Sequence, residues 1–265
     1  MLKKIRSFLV DPRILNIDHD GEDRILIHNQ ILSSKKMMRD VFTEFYMECI
    51  SIADKYFCKV GCELEIGAGV SFFKKIKPEL IVTDIVHAPH LDFILDAQNM
   101  FQIKDSSLRS IYALNVFHHI PNPREFFNEL LRVLKPGGGC ILIEPFYGPV
   151  ARPFFNNLHS TEHFNAEQQS WESKNNMGVM SNANQALSYI IFIRDREIFN
   201  KEFPDLEIVV SRPLTNYLRY LCSGGINFKQ LLPDFFTPIL RSLEFLLWPA
   251  SRLSALHHVI AIRKK

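Results

Sequence analysis

The five cysteines, Cys49, Cys58, Cys62, Cys140 and Cys222, include no C-x-x-C pair and are odd in number. Neither a disulfide framework nor a zinc knuckle is indicated. Unpaired thiols suit a reducing compartment, and a cytoplasmic protein is expected. Charge of one sign is lacking too: the net charge is +2 over 265 residues, and Lys74, Lys75, Lys77 and Arg263, Lys264, Lys265 form only short, separate clusters. That excludes an extended basic footprint and, with it, nucleic acid as the default partner. Residues 213–252 are apolar-rich, but Pro238, Arg241, Glu244, Pro249 and Arg252 interrupt them. They fall far short of the roughly 20 apolar residues that cross a bilayer. The neutral run before Asp11 is only four residues long, Ser7–Val10, too short for the apolar core of a secretory signal.

What is present is a chain 47% hydrophobic, enough for one large core, so residues 1–265 are expected to form a single domain. Residues 1–32 show no decisive pattern. From Ser33 onward Met37, Met38, Val41, Phe42, Phe45, Cys49, Ile52 and Tyr56 recur at helical spacing. They predict an amphipathic packing helix, capped by Ser33 or Ser34, that also stands near any site.

Strand and helix signals then alternate. Leu64–Ile66 reads as a strand that stops at Gly67 and Gly69, and residues 72–77 read as the helix that follows. Glycines there let the backbone bend tightly and a ligand approach, and a helix start would turn free N–H groups toward it. The second strand, Leu80–Asp84, ends on a carboxylate that could bind both hydroxyls of a ribose or simply cap a helix. A third, Phe93–Ala97, brings Asp96 to the same edge, and a fourth, Arg109–Asn115, runs into Val116-Phe-His-His-Ile. Pro121 and Pro123 introduce a helix through Leu134. Pro136 and Gly137–Gly139 turn the chain into a fifth strand, Cys140–Glu144. The alternation predicts an α/β, doubly wound sheet.

Glu65-Ile-Gly-Ala-Gly69, Asp84, Asp96-Ala97, Phe117-His-His-Ile120 and Leu134-Lys-Pro-Gly-Gly-Gly139 resemble, in order and spacing, the motifs of class I S-adenosylmethionine-dependent methyltransferases. Within that class the sequence looks like the type 11 group of small-molecule enzymes, closely over residues 60–145. The resemblance implies a Rossmann-like seven-stranded sheet with an antiparallel last strand, bound S-adenosylmethionine and methyl transfer. It implies Glu65, Gly67 and Gly69 at the methionine end of the cofactor, Asp84 at the ribose, Asp96 and Ala97 at the adenine, and Asn115 and Phe117 bordering the methionine portion. Val70 and Ser71 depart from the loop pattern, which often has a third small residue there.

On the same comparison, Leu206–Arg212 and His257–Ile262 are the last two strands, preceded by a helix over 187–203. Residues 1–57 are then an N-terminal helical segment, 58–212 and 253–265 the core, and 213–252 a helical insertion. The insertion is expected to cover the acceptor site with the stripe Ile239, Leu240, Leu243, Leu246 and Leu247, hinged at Ser223-Gly224-Gly225. A packing helix and a peripheral membrane contact are the other readings of that stripe.

Methyl transfer to a hydroxyl needs a proton acceptor. His163 and His159, after the fifth strand, are the candidate catalytic bases, while His118 and His119 are assigned to shaping a strand end. The expected acceptor is a small molecule or a sugar-containing, lipid-linked precursor, methylated on oxygen. Two rival readings stand beside this one. Residues 159–163 spell H-x-x-E-H, a zinc-hydrolase signature, but no third ligand in a second helix is identifiable, and no metal is expected. A protein of this fold could also bind the cofactor without catalysis.

Overall fold

The computed structural model describes residues 8–15, 17, 21, 23–157, 162–173 and 183–265. The apolar runs become β1 (Cys62–Glu65), β2 (Ile81–Asp84), β3 (Phe93–Ile94), β4 (Leu108–Leu114), β5 (Leu134–Pro145), β6 (Leu206–Pro213) and β7 (His257–Lys264). The helices used below are α1 (Asp23–Ser34), α2 (Lys36–Tyr56), α3 (Pro123–Val133), α4 (Ala151–Asn157), α5 (Leu187–Tyr189), α6 (Arg196–Glu202), α7 (Tyr217–Ser223) and α8 (Thr237–Leu246). The strands form one seven-stranded sheet in the order β3-β2-β1-β4-β5-β7-β6. Strand β7 runs antiparallel to β5 and β6, and the remaining pairs are parallel. This is the doubly wound arrangement with an antiparallel last strand that the sequence resemblance implies, in which strand order reverses between β1 and β4 and opens a crevice at their carboxyl ends.

Side-chain alternation along the strands builds two cores. Ile111, Ala113, Cys140, Leu142, Ile260 and Ile262 pack on one face, against α3 and the stretch from α5 to α6. Tyr112, Ile141, Ile143, Val259 and Ala261 pack on the other, against α2. Helix α3 starts where the Asn122 side chain accepts from the amides of Arg124 and Glu125, with Pro123 in its first turn. Its Phe126 and Phe127 join Phe117, Phe192 and Phe199 in an aromatic cluster, with Phe127 and Phe199 centroids 5.1 Å apart.

Local details differ from the sequence reading for identifiable reasons. Residues 23–34, without a readable pattern, form α1. Ser34 closes it, donating to the Ile31 carbonyl, and α2 starts after Lys35 with no side-chain cap. The segment after the glycine loop is one 3₁₀ turn, Phe72–Lys75, because Pro78 bars the helix from continuing. It offers no helix N-terminus to a ligand. Pro136–Gly139 lies inside β5, where a register shift against β4 absorbs it. The helix expected over 187–203 is α5 and α6 joined by a π turn at Ile190–Arg194.

The insertion departs most. In α8 the buried residues are Leu240 and Glu244, whereas Ile239, Leu243 and Leu246 are exposed, as is Leu247 beyond the helix end. The apolar stripe thus faces outward rather than over the cavity. Buried Arg219 of α7 donates to Glu244 at 2.6 Å and to Glu44 of α2 at 2.6 and 2.7 Å, so polar groups dock this helix. Ser223–Gly225 is a pinned turn. Buried Lys35 donates to the carbonyls of Gly225 and Phe228, and a Cβ on Gly224 would lie 2.2 Å from the Lys229 carbonyl oxygen. Leu243→Ala should therefore change stability by no more than about 0.5 kcal/mol, as for an exposed site. A buried leucine would cost about 2 to 5 kcal/mol. Chemical denaturation of the variant checks this, and a loss in the second range would put the stripe back in the core.

Candidate active site

A cavity of about 550 Å³ opens at the carboxyl ends of β1, β2 and β4. Of the eight residues assigned to the cofactor, Glu65, Gly67, Gly69, Asp84, Asp96, Ala97 and Asn115 line it. Phe117 does not. Its ring is wholly buried in the aromatic cluster, and only its backbone amide points at a site residue, donating to Glu144 at 2.8 Å. A phenylalanine at a strand end finds more apolar contact in the core than at a polar crevice.

Gly67 and Gly69 adopt φ of 62° and 51° for different reasons. A Cβ on Gly67 would lie 2.3 Å from Val116 Cγ2, so close approach of the β1 and β4 ends demands glycine there. At Gly69 a Cβ would meet nothing within 4 Å, and its amide donates to Asp84 Oδ2 at 2.9 Å. The other Asp84 oxygen accepts from the Val86 amide at 3.1 Å and lies 4.0 Å from the Arg24 guanidinium. Asp96 Oδ1 accepts from the Gln98 amide at 2.9 Å.

Two buried acceptor atoms on this wall, Glu65 Oε2 and Asn115 Oδ1, have no hydrogen-bond partner. Such atoms are costly when left alone and mark where a donor or cation belongs. Burial pushes the Glu65 carboxyl up to about 8, opposed by a hydrogen bond from Tyr46 and assisted by the charge of Asp84. These features fit an ammonium-bearing nucleoside ligand.

A second polar group lines the same cavity: His118, His119, Glu162 and Gln185. Glu144, fully buried at the end of β5, accepts from the amides of Val116 and Phe117 and lies 2.5 Å from His118 Nδ1. Burial disfavours a charged His118 ring, yet Glu144 and Glu162 overcome it and lift the pKa to about 10. By contrast His258, beside Ser188, is pushed down to about 3 by burial alone. The two histidines set aside as strand-end structure therefore face the cavity, and their only sequence signal was their place directly after β4.

His163 is exposed and does not line the cavity, its backbone bridging Asn184. His159 lies outside the described residues, so the H-x-x-E-H reading has no complete geometry. The sequence reading also missed Arg24 and His28 of α1, Tyr46 of α2, and Ile226, Phe228 and Leu231 of the insertion, all of which line the cavity. Tyr46 and the insertion residues belong to segments expected near the site, and the insertion lines it without the helix nominated for the purpose.

A family model described as a methyltransferase domain matches residues 75–142. No curated protein matches the sequence. Among solved structures, a phosphoethanolamine N-methyltransferase from Haemonchus contortus is 14% identical with a TM-score of 0.41 over 82% of this chain and 52% of its own. The chain thus spans about half the length of that enzyme. A methyltransferase from Archaeoglobus fulgidus is 13% identical (TM-score 0.49, 86% and 94% covered). Another from Anabaena variabilis is 17% identical (TM-score 0.48, 97% and 96% covered). Residues 75–142 thus match a methyltransferase domain, and they lie within a seven-stranded sheet of order 3-2-1-4-5-7-6 whose strand ends line the cavity.

Proposed function

We propose that the protein transfers the methyl group of S-adenosylmethionine to a hydroxyl of a small molecule with an apolar portion. The observation that carries this reading is the convergence of unpartnered Glu65 Oε2 and Asn115 Oδ1 with Asp84 and the open face of Gly69 on one cavity wall. When bound, the cofactor supplies an electrophilic methyl whose bond to sulfur breaks, leaving the electron pair on sulfur, as a bond to the acceptor oxygen forms. Glu65 and Asn115 would hold its ammonium, Asp84 its ribose, and Asp96 with Ala97 its adenine. Phe42, Phe154, Phe155, Phe228 and Leu231 supply the apolar wall for the acceptor. Small molecules of the lipid-linked, sugar-containing kind fit such a mixed lining.

The exposed His163 is poorly placed to take the acceptor's proton, and the groups facing the cavity are His118, His119 and Glu162. Calorimetry tests the cofactor half of the proposal with a defined sign. Glu65, with its pKa near 8, is mostly protonated at pH 7, and pairing with an ammonium requires the carboxylate. Binding should release about one proton at pH 7, and affinity should rise with pH until Glu65 is ionised and then level off. Glu65→Gln should abolish both effects. Binding with no proton release would remove Glu65 from the site. Incubation with methyl-labelled cofactor and cell extract tests transfer: binding without labelled product would leave a cofactor-binding protein.

A further inference from the structure

Three side chains from two separate parts of the sequence meet in the cavity with their donor atoms close together. His118 Nε2 lies 3.2 Å from Glu162 Oε2, and His119 Nε2 lies 3.9 Å from Glu162 Oε1. One donor atom from each of the three falls within 4.8 Å of the others. With metal–ligand bonds of about 2.0 to 2.2 Å, neighbouring donors around a tetrahedral ion stand roughly 3.3 to 3.6 Å apart. The observed separations bracket that spacing, so small side-chain rotations would close the site.

Contacts behind the donors set their direction. Glu144 Oε2 holds His118 Nδ1 at 2.5 Å, which leaves Nε2 as the nitrogen toward Glu162. This is the carboxylate–histidine arrangement that orients imidazoles bound to metals. Glu144 is itself fixed by two backbone amides, and Glu162 accepts from Gln185 Nε2 at 2.7 Å. Among the described residues lining the cavity, the only arginine or lysine is Arg24, and its guanidinium stands beside Asp84.

We propose that His118, His119 and Glu162 bind one divalent first-row transition ion of the zinc class, leaving coordination positions open to the cavity. Two nitrogens and a carboxylate are a donor set suited to such an ion, with room for an exchangeable ligand. The chemical role rests on the methyl-transfer reading above: an acceptor hydroxyl on the ion loses its proton to solvent more readily, and its oxygen becomes the nucleophile. The site shares Glu162 with the H-x-x-E-H segment but uses neither of that signature's histidines.

The test is calorimetric titration of chelator-treated, dialysed protein with Zn²⁺, with Co²⁺ substitution to report coordination by its visible absorption. One equivalent should bind to the wild type. His119→Ala and Glu162→Gln should weaken binding by more than the roughly 10- to 100-fold that loss of an outer partner costs, and Glu144→Gln should fall within that range. His163→Ala should bind as the wild type does. Circular dichroism confirms that each variant is folded, and His119→Ala with Glu162→Gln suffice if the buried Glu144 variant is not. Absence of stoichiometric binding, or binding that survives both ligand variants, overturns the proposal. Titration of the same samples with S-adenosylmethionine separates the two readings: cofactor binding without Zn²⁺ binding sinks the metal site alone.

Discussion

Asp84→Ala is expected to weaken S-adenosylmethionine binding roughly ten- to a hundredfold, because a contact to a charged acceptor is worth about 1.5 to 3 kcal/mol. Asp84 is buried at the end of β2, where it has two tasks. One oxygen ties down the amide of Gly69 and the other the amide of Val86, so the carboxylate shapes the loop in addition to the ribose contact proposed for it. Asp84→Asn keeps an acceptor oxygen and should lose less affinity than Asp84→Ala. Calorimetry on both variants, with thermal melts as the control for folding, gives the comparison. Unchanged affinity in folded Asp84→Ala would take the ribose contact away from this residue.

Arg219→Leu is expected to cost about 3 to 5 kcal/mol, the penalty for leaving a buried charge without its partner. For a chain of this size the melting temperature should fall by on the order of 10 °C. Arg219 is 3% exposed and satisfies two carboxylates on two different elements, Glu44 on α2 and Glu244 on α8. Its removal leaves buried Glu244 facing an apolar side chain, whereas the half-buried Glu44 keeps Arg241. Adding Glu244→Gln to Arg219→Leu removes the stranded charge and should recover part of the loss. A single variant as stable as the wild type would mean that the network contributes nothing to holding the insertion.

These expectations depend on features of unequal visibility in the sequence. The first five strands were readable because each carries a short apolar run ended by glycine, proline or a polar residue, and because α3 carries Phe126, Phe127 and Leu130 at helical spacing after its proline, whereas the last two strands were placed by the family resemblance. The cavity wall at the strand ends was readable too, since Gly67, Gly69, Asp84 and Asp96 stand at the ends of those runs. The burial of the Phe117 ring was not readable, because its position after β4 says nothing about which way the ring turns.

What the sequence by itself determined, then, is the order of elements and the residues that the strand ends deliver to one edge. Both follow from local periodicity and chain punctuation, which are properties of neighbours along the chain. Only the tertiary structure decided which side chains from distant segments share the cavity. Glu162 reaches His118 across 44 residues, and Arg219 pairs with Glu44 across 175. It also decided that α8 turns its leucines outward, because burying the Arg219 and Glu244 charges together leaves the opposite face of that helix to solvent. An amphipathic pattern specifies that a helix has two faces, but the partners waiting on the fold determine which of them is buried.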